Sequence, residues 1–189
     1  MEWLVGQAWI LPVVILLVIL ASALRVLREY ERAVIFQIGR FWKVKGPGLI
    51  LVIPGIQKMV RVDLRVIVMD VPTQDVISKD NATVTVDGVA FFQVFDAAKA
   101  SYEVSNLHQA IVTLNMTNIR SVMGSMDLDQ VLSHRDEINE KLLRVVDAAV
   151  SPWGVKVNRI EIRDIVPPAD LVAAMGRQMK AEREKRAVI

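Results

Sequence analysis

Cysteine is absent from this chain of 189 residues. That excludes disulfides, zinc–thiolate centres and a cysteine nucleophile, and it suits a reducing compartment. Histidine is nearly absent as well. His108 and His134 are the two present, and neither stands in a metal-binding spacing such as His-Glu-x-x-His. An excess of one charge sign is also missing: 23 basic and 21 acidic residues leave a formal net charge of +2. There is no global basic field of the kind that nucleic-acid binders use, so no nucleic-acid partner is expected. A phosphate-cradling glycine loop is lacking too, because Gly46-Pro47-Gly48 carries proline where a backbone N–H would be required.

Hydrophobic residues make up 53% of the chain and charged residues 23%, enough apolar content for an anchor plus one domain or two small subdomains. The longest apolar run is Trp3 to Leu24, which carries no charge and has only Gln7 and Ser22 as clearly polar members. As a helix rising about 1.5 Å per residue it covers ~33 Å, against a hydrocarbon core of about 30 Å. Trp3 and Trp9 stand where interfacial indoles would be placed, with Leu16 and Leu20 deeper in the run. Two other readings compete with a span. Ala21-Ser22-Ala23 resembles a signal-peptide cleavage site, but Met1-Glu2-Trp3 lacks the basic residues such a peptide requires. Pro12 would allow a re-entrant hairpin, although membrane helices also tolerate proline as a kink. Glu2 precedes the run, while Arg25, Arg28 and Arg32 follow it. The positive-inside rule then places the body in the cytoplasm and the N-terminus outside, as a single-pass protein of the cell membrane.

After the anchor, helical character is expected to continue over Arg25–Glu31. Strand signals follow: Ala33–Ile38, the apolar run Leu49–Ile53 after the Gly46-Pro47-Gly48 turn, and the alternation Met59–Val71, closed by Pro72. Ala82–Phe95 predicts a β-pair turning or bulging at Asp87-Gly88. Asp96 is placed to cap a helix over Ala97–Val104, and Leu107–Met123 has helical spacing. Ser133 with Asp136 resembles a capping box opening a helix through Val150, and Asp127 and Asp129 read as caps for a helix near Leu128–Leu132. Val155–Ile162 predicts a late strand returning to the early sheet, and Pro167-Pro168 ends the unit. The sequons at Asn81 and Asn115 read as turn and helix residues.

From Ala169 a new helix is predicted, with Leu171, Met175 and Met179 at four-residue spacing. Lys180, Glu182, Arg183, Glu184, Lys185 and Arg186 then alternate in sign, as on a coiled-coil flank. This helix is the candidate oligomerisation element. It carries no stop signal before Ile189, which predicts a fragment or a helix completed by partners. The resulting fold class is α+β: an anchor at 1–28, a strand-rich subdomain at 29–95, a helix-rich subdomain at 96–166, and the start of a coiled coil at 167–189.

No catalytic constellation emerges. Ser133, His134 and Asp136 are the residue types of a hydrolytic triad, but one helix turn cannot supply its geometry. Neither enzymatic activity nor a cofactor is expected. The cluster Arg40-Phe41-Trp42-Lys43 with Lys45 predicts membrane contact. Its aromatics would enter the interface and its basic groups would meet anionic headgroups, each worth about 1 kcal/mol near the surface. A solvated hairpin tip is the bland alternative.

Several segments in order resemble the stomatin/slipin branch of the SPFH (band 7) family. They run from Glu29-Tyr30-Glu31-Arg32-Ala33-Val34-Ile35-Phe36 through Gly46-Pro47-Gly48-Leu49, Ser78-Lys79-Asp80-Asn81 and Thr117-Asn118-Ile119-Arg120. They continue with Trp153-Gly154-Val155, Ile160-Glu161-Ile162-Arg163-Asp164-Ile165 and Met179–Arg186. The resemblance implies an N-terminal membrane segment, an SPFH domain of two subdomains on the bilayer, and a coiled-coil helix. It also implies homo-oligomeric rings or cages that organise membrane lipids and client proteins. The alternative it offers is a regulatory subunit of a membrane protease or NfeD-type partner.

Overall fold

The computed structural model describes Val14, residues 21–168, and residues 172, 173, 176, 177 and 180. Residues 21–23 are helical, and the chain changes to strand β1 (Leu24–Leu27) at once. The helix expected over Arg25–Glu31 is therefore not formed. Its backbone is taken up instead by β4 (Gly48–Leu51), with Leu24 opposite Leu51 and Val26 opposite Leu49 in an antiparallel ladder. The Val52 N–H donates to the Ala23 carbonyl at 2.8 Å and so captures the end of the helix. A partner strand outweighs the small intrinsic helix preference of Leu and Arg.

Chain contacts divide the molecule into two compact units. The first comprises residues 1–66, 93–105 and 153–155. Its sheet is ordered β3-β2-β5, with β2 (Glu31–Gln37) between β3 (Arg40–Lys45) and β5 (Gln57–Asp63). Both pairings are antiparallel. Leu27, Ala33, Ile35, Ile50 and Val52 form its buried cluster, with Met59 packed against it. The ribbon β1–β4 thus turns Leu27 and Ile50 inward and leaves its other face outward. Helix α1 (Ala97–Tyr102) also belongs to this unit, and Asp96 caps it as expected by accepting from the Ala98 and Lys99 N–H groups. The Phe95 and Asp96 N–H groups donate to the carbonyl of Gly154, a residue at φ +72°.

The second unit comprises residues 67–92, 106–152 and 156–189. Its division from the first is cut differently from the sequence partition, because Ile67–Phe92 groups with the helices. The sheet here is ordered β6-β7-β8: β6 (Ile67–Ile77), β7 (Thr83–Val94) and β8 (Val155–Val166). Helices α2 (Leu107–Gly124), α3 (Leu128–Ser133) and α4 (Arg135–Val150) complete it. The buried faces of α2 and α4 contribute Ile111, Ile119, Met123, Ile138, Leu142 and Val146. Gln74 on β6 ties down α2, donating to the Met116 carbonyl at 2.9 Å and accepting from Arg120 at 3.2 Å.

Three local expectations are corrected. Pro72 does not close a strand but lies inside β6, at a bulge where Pro72 and Thr73 stand opposite Asp87 alone. Proline has no N–H to give to a ladder, and a bulge does not require one. Asp87-Gly88 is not a turn, because β7 runs through it unbroken. The reversal is at Ser78–Ala82 instead, where the Ser78 and Ala82 backbones are bonded and Asn81 takes φ +65°. Ser133 does not cap α4: its hydroxyl donates to the Asp129 carbonyl at 2.5 Å, and His134 occupies the cap position. Asp127 caps α3, with its N–H donated to Gln130 Oε1 at 3.2 Å. The late strand β8 pairs beside β7.

Candidate functional site

The first unit carries a run of exposed apolar side chains. On the outward face of the β1–β4 ribbon, Leu24 faces Leu51 and Val26 faces Leu49. Val26 is 68% exposed and Leu49 70%. The chain runs on from Leu51 through exposed Ile53 to exposed Ile56, whose carbonyl accepts from the Ile38 N–H at 3.1 Å. Ile38 forms the β2–β3 turn with Gly39 and is 81% exposed, at φ +50°. A β-branched residue held at positive φ is unusual, and here it presents its side chain at the tip of the hairpin. Solvent-exposed large apolar residues are ordinary when scattered. A paired face continued by a loop and a hairpin tip is a surface awaiting a cover.

The predicted contact residues on β3 fall beside this rim, with different duties. Phe41 is half-exposed and meets Phe36 edge-to-face and Tyr102 at a tilt, with ring centroids 6.4 and 5.8 Å away. Ile35 pairs with Lys43 and Phe36 with Phe41, so Trp42 is the extra residue of a bulge. Bulges re-aim side chains, and Trp42 is exposed with the Lys43 ammonium 4.1 Å from its ring centroid. Lys45 is tied to β4 by donating to the Leu51 carbonyl at 3.0 Å. Gln37, Ile38, Arg40, Phe41 and Trp42 together line a shallow depression. Trp3, Trp9, Pro12, Leu16 and Leu20 lie outside the described residues, as do Leu171, Met175, Met179, Glu182, Arg183, Glu184 and Arg186. Lys180 is described, helical and exposed. Among the described residues no helix is long and apolar enough to cross a membrane.

The contiguous Phe41, Trp42 and Lys43 are legible in the sequence as an exposed aromatic-basic cluster, whereas the exposed Leu24, Val26, Leu49 and Leu51 are not. Read as a helix, residues 25–31 put Leu24 and Val26 on different faces. The strand puts them on one. The signal was the matched Leu-x-Val and Leu-x-Leu alternation of two segments flanking a turn-rich stretch.

The arginines after the apolar segment divide into engaged and unengaged groups. Arg28 donates to the Tyr30 hydroxyl at 2.6 Å, and Arg32 to the Glu29 carbonyl at 2.8 Å. Arg65 stacks on the Tyr30 ring at 3.9 Å and pairs with Asp63 at 2.7 Å. That hydrogen-bonded guanidinium holds the Asp63 carboxyl below its ordinary range. Arg25 and Arg61 have no such bond among the described residues.

In the second unit, the Ser133 Oγ and His134 Nδ1 are 2.7 Å apart on an exposed helix junction. With the Ser133 proton given to the Asp129 carbonyl, this hydroxyl is not poised for attack on a substrate. Among the described residues no group of three metal-ligating side chains converges. Asn115 is fully buried, its amide donated to the Ile111 carbonyl at 2.9 Å, so its sequon is a helix residue and not a glycan site.

Comparison with known proteins agrees with this architecture. The family described as SPFH domain / Band 7 family matches residues 25–189. A stomatin homologue of Pyrococcus horikoshii is 48% identical over 174 residues, covering 92% of this chain and 65% of its own length. Stomatin-like protein 3 of Mus musculus is 41% identical over 168 residues, 88% of this chain and 58% of its own. Stomatin of the same animal is 38% identical over 168 residues, 88% of this chain and 59% of its own. The chain thus spans about three-fifths of the length of these relatives. With the family matched from the first ribbon onward and relatives alike over most of the fold, the chain belongs to the SPFH domain / Band 7 family.

Proposed function

We propose that this protein is a non-enzymatic membrane scaffold: it sits on the bilayer by its first unit and assembles laterally with copies of itself. The observation that carries the reading is the apolar rim Leu24, Val26, Leu49, Leu51, Ile53, Ile56 and Ile38. The rim begins where the uncharged run Trp3–Leu24 ends. Burying one such side chain fully is worth about 1.5–3 kcal/mol, so several together hold a surface firmly on an apolar layer. Trp42 and Lys43 suit the edge of such a contact, where an indole and an ammonium are both at home between lipid and water.

In this reading the Trp3–Leu24 run spans the membrane once, with the N-terminus outside and the body cytoplasmic. The helix expected from the spacing of Leu171, Met175 and Met179 and from the charges Lys180, Glu182, Arg183, Glu184 and Arg186 pairs with neighbouring copies. Many weak contacts closing into a ring give strong attachment through effective concentration. Clients, among them an NfeD-type protein or a membrane protease, would be organised by the enclosed patch.

The test is negative-stain imaging and native mass measurement of the full-length protein extracted from native membranes, together with Val26→Glu/Leu49→Glu. Large homo-oligomers are expected for the parent, with the variant displaced to the soluble fraction after removal of residues 1–23. A small stoichiometric complex with one membrane partner would replace the scaffold by the adaptor reading. Unchanged membrane binding of the truncated variant would overturn the role of the rim.

A further inference from the structure

Below the apolar ribbon the first unit has a cavity of about 320 Å³, lined by Ser22, Arg25, Val52, Pro54, Lys58 and Arg61, with Gln57 and Met59 completing the wall. Among the described residues the lining includes two guanidinium side chains, Arg25 and Arg61, and no carboxylate; Lys58 adds to the wall, but its side chain leaves the other face of β5, paired with Phe36. Arg28, Arg32 and Arg65 of the same unit are instead each bonded to an oxygen group. Among the described residues, Arg25, Lys58 and Arg61 form no ion pair. The fold creates this concentration of charge. Arg25 lies opposite Ile50 on the inward side of β1, while Met59 and Arg61 follow one another on a single face of β5 and pair with the buried Ile35 and Ala33. Positive charges brought together around one space repel unless an anion occupies it. The Gln57 amide oxygen accepts from the Ile53 N–H at 3.1 Å, so the polar group it has left to offer is an NH₂ donor.

We propose that this cavity binds the phosphate group of an anionic membrane lipid. A phosphate presents several oxygens around one centre and accepts from two guanidinium groups and an amide at once. A lipid headgroup fits better than a free phosphate because the cavity also has an apolar side. Val52, Met59 and Pro54 line it, and exposed Leu51 and Ile53 flank it in the chain. The headgroup sits among the cations and the acyl chains continue along the rim. The inference rests on the proposed membrane-facing role of the first unit. It does not depend on self-assembly.

The test uses the full-length protein in a nonionic detergent, so that no bilayer is needed for attachment. Short-chain phosphatidylglycerol, short-chain phosphatidylcholine and inorganic phosphate are titrated separately and followed by tryptophan fluorescence. Phosphatidylglycerol is expected to bind at least about ten-fold more tightly than either of the others, with the preference weakening as salt is raised. Arg25→Glu/Arg61→Glu should abolish that preference, and the milder Arg61→Gln should reduce it in a chain with an unchanged circular-dichroism spectrum. Lys141→Glu/Lys156→Glu, an equal charge change at exposed positions of the second unit, should leave it intact. Equal affinity for the two lipids in the parent would overturn the proposal, as would equal loss in the two double variants. Inorganic phosphate binding as tightly as phosphatidylglycerol would show that the occupant is a free anion and not a lipid. Since the readout is binding in detergent, failure here leaves the imaging test of assembly untouched.

Discussion

Single residues fix where backbones meet. A Cβ on Gly88 would come within 2.9 Å of the Glu161 carbonyl oxygen on the neighbouring strand. Gly88→Ala should therefore cost about 1–3 kcal/mol, as overpacking does, seen as a lower urea midpoint with an unchanged slope. Gly154→Ala should cost more, about 2–4 kcal/mol. It adds a side chain at φ +72° and places its Cβ 2.6 Å from the Asp96 carbonyl oxygen. Asp80 fixes another junction: it accepts from the Ser78 hydroxyl and, at 3.2 Å, from the Leu128 N–H. These bonds, the Ser78 one foremost, hold its carboxyl below the ordinary value of 3.8. A lowered folded-state value means stability that is present above about pH 4 and is lost as pH falls through the lowered value. Asp80→Asn should flatten the stability profile in that acid window, read by urea unfolding at pH 2.5 to 5, and leave its shape above pH 5 unchanged.

At the scale of elements, legibility depended on whether the periodicity was local. The cap at Asp96 and the helix α2 are written within a few residues, and both were readable. Asp96→Ala should cost about 1 kcal/mol, the usual worth of a cap, measurable as a lowered thermal midpoint. In β6 the buried positions are Met69 and Val71 before the bulge and Gln74 and Val76 after it. The bulge shifts the inward face by one residue, so the alternation breaks at Pro72 and imitates a strand end. In β7 the buried positions Val84, Val86, Gly88, Ala90, Phe92 and Val94 keep one phase throughout. That unbroken phase was the available sign that Asp87-Gly88 is interior. β1 was misread because its partner, β4, lies some 20 residues away in sequence, and no local signal carries a non-local pairing.

For the whole molecule, family and α+β class were legible because the matching segments recur in order along the chain. The chemistry of the first unit was only partly so. The cluster around Trp42 is contiguous in sequence and was seen. The apolar face of the ribbon and the cationic cavity gather residues from β1, the β4–β5 loop and β5, and become sites only on folding. A protein that exposes such an apolar surface must also avoid unwanted association elsewhere. β6 is an edge of its sheet, and an eleven-residue edge strand is a template for indiscriminate pairing. The proline and bulge at its centre interrupt that template. Pro72→Val would leave the rim untouched and restore an N–H to the edge. The expected result is thioflavin-positive fibrils on concentration, where the parent stays clear, which would make one missing N–H in β6 a guard against amyloid.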